Sequence, residues 1–436
     1  MKRIGLLLII LGALLGVFRP GHAQGDEPLV LVMTAEGPIM PAMLEYFKRG
    51  IETAEQRNAE VLIIQLNTPG GLITVMGGIN SEIQASDVPV VIYVSPSGGM
   101  AASAGAMITM AAHASAMAPQ TIIGAASPVG GQGEDLGETM KAKEMEALTA
   151  TVRTYTARRG EEAVALAEAM ILEARAVTAQ EALDVHLIDF VVDDVDGLLQ
   201  LLDGFTVQMN DTSSRTLNTE NAEIQPLDMT FIEQFLLMLT DPNIAFLLIA
   251  IGVQAVLIEI SSPGGWVAGF IGVVCLTLAT YGLGVLPVNW FGIIFLVTAF
   301  VLFILDINAP THGALTAAGV ASFIVGALVL FNSPGAPQFQ RVSVPLVVSV
   351  GLSIGLLFFI VLVYVLRSLR VPIHAGAESF IGKTGTAKDW EEEAGQVQLE
   401  SELWSAETAN GSDKISKGDR VEVVEVSGIR LRVRKK

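Results

Sequence analysis

A serine set among residues too small to shield it is available for nucleophilic chemistry. Ser103 lies in the run Gly98-Gly99-Met100-Ala101-Ala102-Ser103-Ala104-Gly105. Upstream, the apolar strand Val61-Leu62-Ile63-Ile64-Gln65-Leu66 ends in Asn67-Thr68-Pro69-Gly70-Gly71. A hydroxyl so placed could attack an acyl carbon, and a Gly-Gly turn at a strand end could aim bare N–H groups at the developing oxyanion. Each feature also has a plainer explanation. Small residues at a helix start serve close packing, and Gly-Gly makes an ordinary strand-to-helix turn.

A serine hydroxyl needs a base, because alone it does not ionise near neutral pH. His113 lies ten positions after Ser103, beyond the end of the same small-residue segment. At helical rise that is roughly 15 Å, too far for contact. His186 follows a helix and reads as a cap residue. Lysine is the other option, since Ser–Lys pairs follow the same logic and a lysine buried in apolar surroundings loses its charge. Lys141 and Lys143 open a helix that runs toward Arg158, and Leu148, Thr149 and Val152 form a stripe able to seat it on a core. A solvated surface charge is the competing reading of either lysine.

The elements that must position these groups follow from periodicity. Between residues 24 and 203, continuous apolar strands at Leu29-Val30-Leu31-Val32, Val61 to Leu66 and Val90-Val91-Ile92-Tyr93-Val94 alternate with helical patterns. Helices are expected over 40–57, 75–85, 101–111 (with Ser103 in its first turn), 141–158 and 161–172. Thr178 with Glu181 three positions on reads as a capping box. Such strands joined through helices imply a parallel sheet covered on both faces. Residues 204–230 are polar and read as a linker. Residues 231–370 then read as a membrane block with about five spans, at 243–260, 266–283, 288–305, 313–331 and 345–366. In 371–436, short strands separated by turns read as a small β-barrel.

Composition agrees with a membrane protein: 436 residues, 51% hydrophobic, with a mean hydropathy of +0.54. A net charge of −19 argues against nucleic acid as a partner. The single cysteine, Cys275, excludes an intrachain disulfide and a cysteine-rich metal site. Residues 1–23 read as a signal peptide: Lys2 and Arg3, a short apolar core, then Gly21-His22-Ala23 as a cleavage site, with an uncleaved anchor as the alternative. Export of the first domain followed by five spans would leave the C-terminus in the cytoplasm, consistent with Arg367 and Arg370 just past the last span.

Taken as a set, Asn67-Thr68-Pro69-Gly70-Gly71, Ala102-Ser103-Ala104-Gly105, Met117-Ala118-Pro119 and Ile123-Gly124-Ala125, with Gly382-Lys383-Thr384-Gly385, Trp404-Ser405-Ala406 and Lys417-Gly418-Asp419-Arg420-Val421 in the tail, resemble the long form of the NfeD (nodulation-efficiency protein D) family. These are membrane-bound serine proteases with a ClpP-like domain. The resemblance implies an α/β ClpP/crotonase-like domain, then an α-helical multi-span membrane domain, then a small all-β OB-fold barrel. It implies Ser103 as nucleophile and Lys143 as base, with Lys141 the off-register alternative. Gly70, Gly71 and the Ala104 amide would form the oxyanion region. No metal or other cofactor is called for. The implied partners are the lipid bilayer, stomatin/flotillin-type membrane proteins and further copies of the chain. The implied location is the cell inner membrane, with the protease domain periplasmic or otherwise extracytoplasmic and the C-terminal domain cytoplasmic. Asn67 departs from the family, where Asp is common. A non-catalytic scaffold organising stomatin-type partners is the competing function.

Overall fold

Five parallel pairings build the sheet that carries the candidate site. In the computed structural model, which describes residues 28–129, 137–210, 212–261, 264–308, 311, 313–332, 338–369, 377–409 and 414–436, the first strands are β1 (Leu29–Glu36), β2 (Val61–Asn67) and β3 (Val90–Val94). β4 (Met100–Ala102), β5 (Ala114–Met117), β6 (Ile122–Gly124), β7 (Ala176–Thr178) and β8 (Phe190–Val191) follow. The expected signal segment, residues 1–23, lies outside the described residues.

The helices between them are α1 (Pro41–Gln56), α2 (Ile73–Ala85), α3 (Ala104–Ala111), α4 (Glu138–Thr156), α5 (Glu161–Leu172), α6 (Ala179–Asp184) and α7 (Val195–Leu202). The continuous apolar character of β2 has a direct cause, burial on both faces. Leu62 and Ile64 pack in one core with Met43, Tyr46, Phe47 and Ile51 of α1. Val61 and Ile63 pack in the opposite core with Leu198 and Leu202 of α7.

Two expectations are corrected in this domain. Residues 204–230 are not a linker. They hold the antiparallel pair β9 (Thr206–Asn210) and β10 (Ser213–Thr216), then β11 (Glu223–Pro226), which extends the sheet beyond β1 in the order β11-β1-β2-β3-β5-β8. Main-chain pairing of Leu29 to Val32 with Glu223 to Pro226 holds β11 there, so its polar side chains gave no strand signal. The helix expected over 101–111 is also shorter. Met100–Ala102 pairs as a strand with β6, and α3 starts at Ala104.

Past the sheet, the amphipathic α8 (Phe231–Leu239) is tied to the α/β domain. Arg49 of α1 makes a two-pronged ion pair with Glu233, both contacts at 2.8 Å. The Tyr46 hydroxyl donates to Leu227 O at 2.6 Å, and burial pushes its pKa up to about 12. The apolar helices are α9 (Pro242–Ser261), α10 (Val267–Val285), α11 (Phe291–Asn308), α12 (Ala314–Phe331) and α13 (Val344–Leu369). Four of the five are long and apolar enough to cross a membrane; the apolar stretch of α11, Phe291–Asp306, is shorter. The expected span over 288–305 is therefore the one that falls short by length.

The C-terminal strands β12 (Thr384–Glu391), β13 (Ala394–Leu399), β14 (Glu402–Thr408), β15 (Arg420–Ser427) and β16 (Arg430–Lys435) close a five-stranded barrel in the order β12-β13-β14-β16-β15. This is the barrel of an OB-fold. Val397, Leu399, Val421, Val423, Leu431 and Val433 fill it. Its basic strand β16 is matched by carboxylates, Arg432 with Glu425 and Arg434 with Glu422, both at 3.1 Å.

Candidate functional site

Ser103 stands at an elbow. β4 ends just before it and α3 begins just after it, and its own backbone takes φ 53° and ψ −114°. Positive φ at a non-glycine residue costs on the order of 1–3 kcal/mol, so neighbours must enforce it. Thr68 N–H donates to Met100 O at 2.7 Å, and Ala102 N–H donates to Thr68 O at 3.0 Å. On the other side, Ser103 N–H donates to Gly124 O at 2.8 Å. The elbow is thus clamped between the turn after β2 and the end of β6. The Ser103 side chain makes no capping hydrogen bond to α3 and lines a cavity of about 400 Å³.

The two glycines bring their turn against the serine. Gly70 has φ 111°, and a Cβ there would lie 2.7 Å from Ser103 Cβ and 3.2 Å from its Oγ. A Cβ on Gly71 would meet Ile39 O at 2.2 Å. The donors are divided differently from the expectation. Gly70 N–H donates to Thr68 Oγ1 at 3.1 Å, so this glycine supplies clearance and its amide is engaged. Among the described residues, the N–H groups of Gly71 and Ala104 have no protein acceptor. Ala104 is the first residue of α3, where an amide has no intrahelical partner.

The structure brings Ser103, Gly70, Gly71 and Ala104 together and sets Lys143 apart from them. Lys143 is exposed on α4 and lines a separate surface hollow with Glu138, Thr139, Ala142, Glu146, Ala147 and Ala150. Lys141 is exposed as well. The ionisable residue of α4 that lines the Ser103 cavity is Glu144, whose Oε2 is buried with no hydrogen-bond partner among the described residues.

The histidines have structural roles. His113 is buried and its Nδ1 accepts the Val90 N–H at 3.0 Å. Burial, and then the nearby Arg158 charge, lower its pKa to about 4. His186 has φ 61° in the turn after α6, with its N–H bonded to Leu183 O at 2.9 Å.

Sequence reasoning missed Thr68, Glu144, Phe339 and Gln340. Thr68 adjoins the glycines and could have been found as the hydroxyl nearest their amides. Phe339 and Gln340 line the same cavity from a turn between α12 and α13, and no local pattern marks them.

Three family models match in chain order: the NfeD1b N-terminal domain over residues 29–212, the NfeD integral membrane domain over 243–364, and the NfeD-like C-terminal, partner-binding domain over 377–435. The membrane-bound protease PH1510 of Pyrococcus horikoshii is 34% identical over 440 aligned positions, which cover 99% of this chain and 97% of that protein. The chain belongs to the NfeD family. The membrane protein NfeD1b of Bacillus subtilis is 27% identical, covering 99% of this chain and 98% of its own length. Among solved structures, the 1510-N membrane-bound stomatin-specific protease, as a lysine-to-alanine variant with a substrate peptide, is 32% identical with a TM-score of 0.45, covering 49% of this chain and 98% of that one. A serine-to-alanine variant of it is 34% identical with a TM-score of 0.43, covering 46% and 98%. With an NfeD membrane domain and four helices long enough to span, this NfeD chain is a multi-pass membrane protein.

Proposed function

We propose that this NfeD protein is a membrane-anchored serine endopeptidase that cleaves apolar segments of membrane-associated proteins of the stomatin type. The observation that carries the reading is the Ser103 elbow. A hydroxyl with no capping role lines a cavity, and beside it the amides of Gly71 and Ala104 have no acceptor among the described residues. The relative from Pyrococcus horikoshii, itself named a membrane-bound protease and alike over nearly the whole chain, supports it. Ser103 Oγ attacks the scissile carbonyl carbon and Lys143 Nζ takes its proton. The Gly71 and Ala104 N–H groups hold the oxyanion. Collapse breaks the C–N bond, the leaving amine takes the proton back from Lys143, and water then hydrolyses the acyl-serine.

Lys143 must leave solvent to do this, since a lysine accepts a proton near neutral pH only when burial removes its charge. The first turns of α4 offer the means. From Glu138 to Ala147 they are exposed or half-exposed, a surface that a second copy of the chain would cover. The protease domain lies outside the cytoplasm of the inner membrane in this reading.

The exposed position of Lys143 is also what favours the scaffold reading. The two separate on one experiment with the full chain in lipid nanodiscs, using an apolar fluorogenic peptide. Ser103→Ala is expected to abolish cleavage. Lys143→Ala is expected to lower kcat at least about 100-fold, the lower end of the range for loss of one acid–base group. Full activity in Ser103→Ala would sink the protease reading. Activity retained in Lys143→Ala and lost in Lys141→Ala would move the base.

A further inference from the structure

The cavity at Ser103 is not closed by the α/β domain alone. Pro69, Leu72, Ile73 and Val129 form apolar wall on the α/β side, and Phe339 and Gln340 come from the turn Gln338–Gln340 between α12 and α13. Ile73 and Val129 are 40% and 58% exposed, so this apolar surface stands open. Phe339 is half-buried against it and Gln340 is buried.

The turn is held from the membrane side by polar clamps. The Asn332 side chain pairs with the main chain of Val342 in both directions, accepting the Val342 N–H at 2.9 Å and donating to Val342 O at 3.3 Å. Ser343 N–H donates to Asn243 Oδ1 at the start of α9, at 2.8 Å. Val342 itself is 2% exposed. The ion pair between Arg49 and Glu233 fixes the α/β domain to the first membrane-proximal helix. Phe339 is therefore presented to the Ser103 cavity by a braced element.

An aromatic side chain that lines the same cavity as open aliphatic side chains and a reactive hydroxyl makes room for an apolar side chain, because such a residue removes apolar surface on both walls from water. We propose that Phe339 is a specificity-determining residue that packs against an apolar side chain of the substrate beside the scissile bond. The membrane domain thus supplies one wall of the protease site, and the site favours chain segments lying close to the bilayer. The cleavage part of this inference rests on Ser103 as nucleophile; the wall does not.

Binding separates the two. The full chain carrying Ser103→Ala, in nanodiscs, is titrated against two fluorescein-labelled decapeptides by anisotropy: one of Ser and Ala only, one with a central Leu-Leu pair. The Leu-Leu peptide is expected to bind more tightly. Adding Phe339→Ala should weaken it about tenfold while leaving the Ser/Ala peptide unchanged, and Phe339→Leu should restore most of the loss, the scale of one apolar contact in a pocket. The proposal is overturned if Phe339→Ala leaves the preference intact, if both peptides weaken alike, or if no preference exists in the parent. Selective binding together with no cleavage by the Ser103 chain would sink the protease reading and leave the wall standing.

Discussion

The buried imidazole of His113 accepts the Val90 N–H and joins the starts of β3 and β5. Because its folded pKa lies at about 4, against about 6.5 for a free histidine, the unfolded chain takes up a proton first as pH falls. The stabilisation from a neutral His113 is thus complete above about pH 6.5 and is lost as pH falls toward 4, on the order of 3 kcal/mol at most. Hydrogen exchange of β3 and β5 amides, corrected for intrinsic rates, should show protection falling between pH 7 and 4.5. His113→Asn, whose Oδ1 can accept the same N–H, should lose that slope. A chain equally protected at both pH values would refute this account. From sequence, the spacing of His113 from Ser103 argued against it as a base, and its buried acceptor role agrees. Ser103, Gly70 and Gly71 were legible because small residues and strand-end glycines are local signals. The engagement of the Gly70 amide was not, since it depends on which way the Thr68 hydroxyl turns.

At the scale of elements, parallel strands announced themselves by continuous apolar runs, and polar edges did not. β11 has the sequence Glu-Ile-Gln-Pro and joins the sheet through its backbone, which no side-chain period records. The break between β4 and α3 was hidden for a related reason. Alanine suits either element, and the elbow is set by the clamps from Thr68 and Gly124. The helix that carries Lys143 and Glu144 depends on a similar nonlocal anchor. Arg159, at the turn from α4 to α5, makes paired bonds to Asp189 at 2.9 and 3.0 Å and a third to Ser115 Oγ at 3.1 Å. Its side chain is 6% exposed and that of Asp189 21%. Removing one partner of such a pair strands the other charge, and partial exposure of Asp189 lessens the cost. Arg159→Ala should therefore destabilise the α/β domain by roughly 2–4 kcal/mol, seen as a lower melting temperature and faster proteolysis near α4. Arg159→Met with Asp189→Leu should recover most of that loss. If the single variant melts with the parent, the pair is not what seats α4.

Across the whole molecule, the number of crossings decides where the two soluble domains lie. Length alone qualifies four helices and leaves α11 short. Packing adds a second criterion. A Cβ on Gly292 of α11 would meet Leu330 N at 2.5 Å and Gly326 O at 2.6 Å, and a Cβ on Gly326 of α12 would meet Leu296 N at 2.9 Å. The start of α11 thus lies backbone to backbone against the end of α12, an antiparallel pair joined through small residues as membrane helices commonly are. A helix pressed this closely along a spanning neighbour occupies much of the same depth, and 16 to 18 residues reach about 24–27 Å, close to the roughly 30 Å hydrocarbon core once the bilayer thins locally. We propose that α11 crosses; the count would then be odd, and the C-terminal barrel would be expected on the opposite side of the membrane from the protease domain. Single cysteines at Ser213 and Ser416 in a Cys275→Ala chain, probed with a membrane-impermeant maleimide on intact cells or spheroplasts and again after lysis, test this. Labelling of the Ser213 position before lysis and of the Ser416 position only after it is the expected result. Both positions reacting on the same side would mean that α11 turns back without crossing, and the barrel would then recruit its partners beside the protease site.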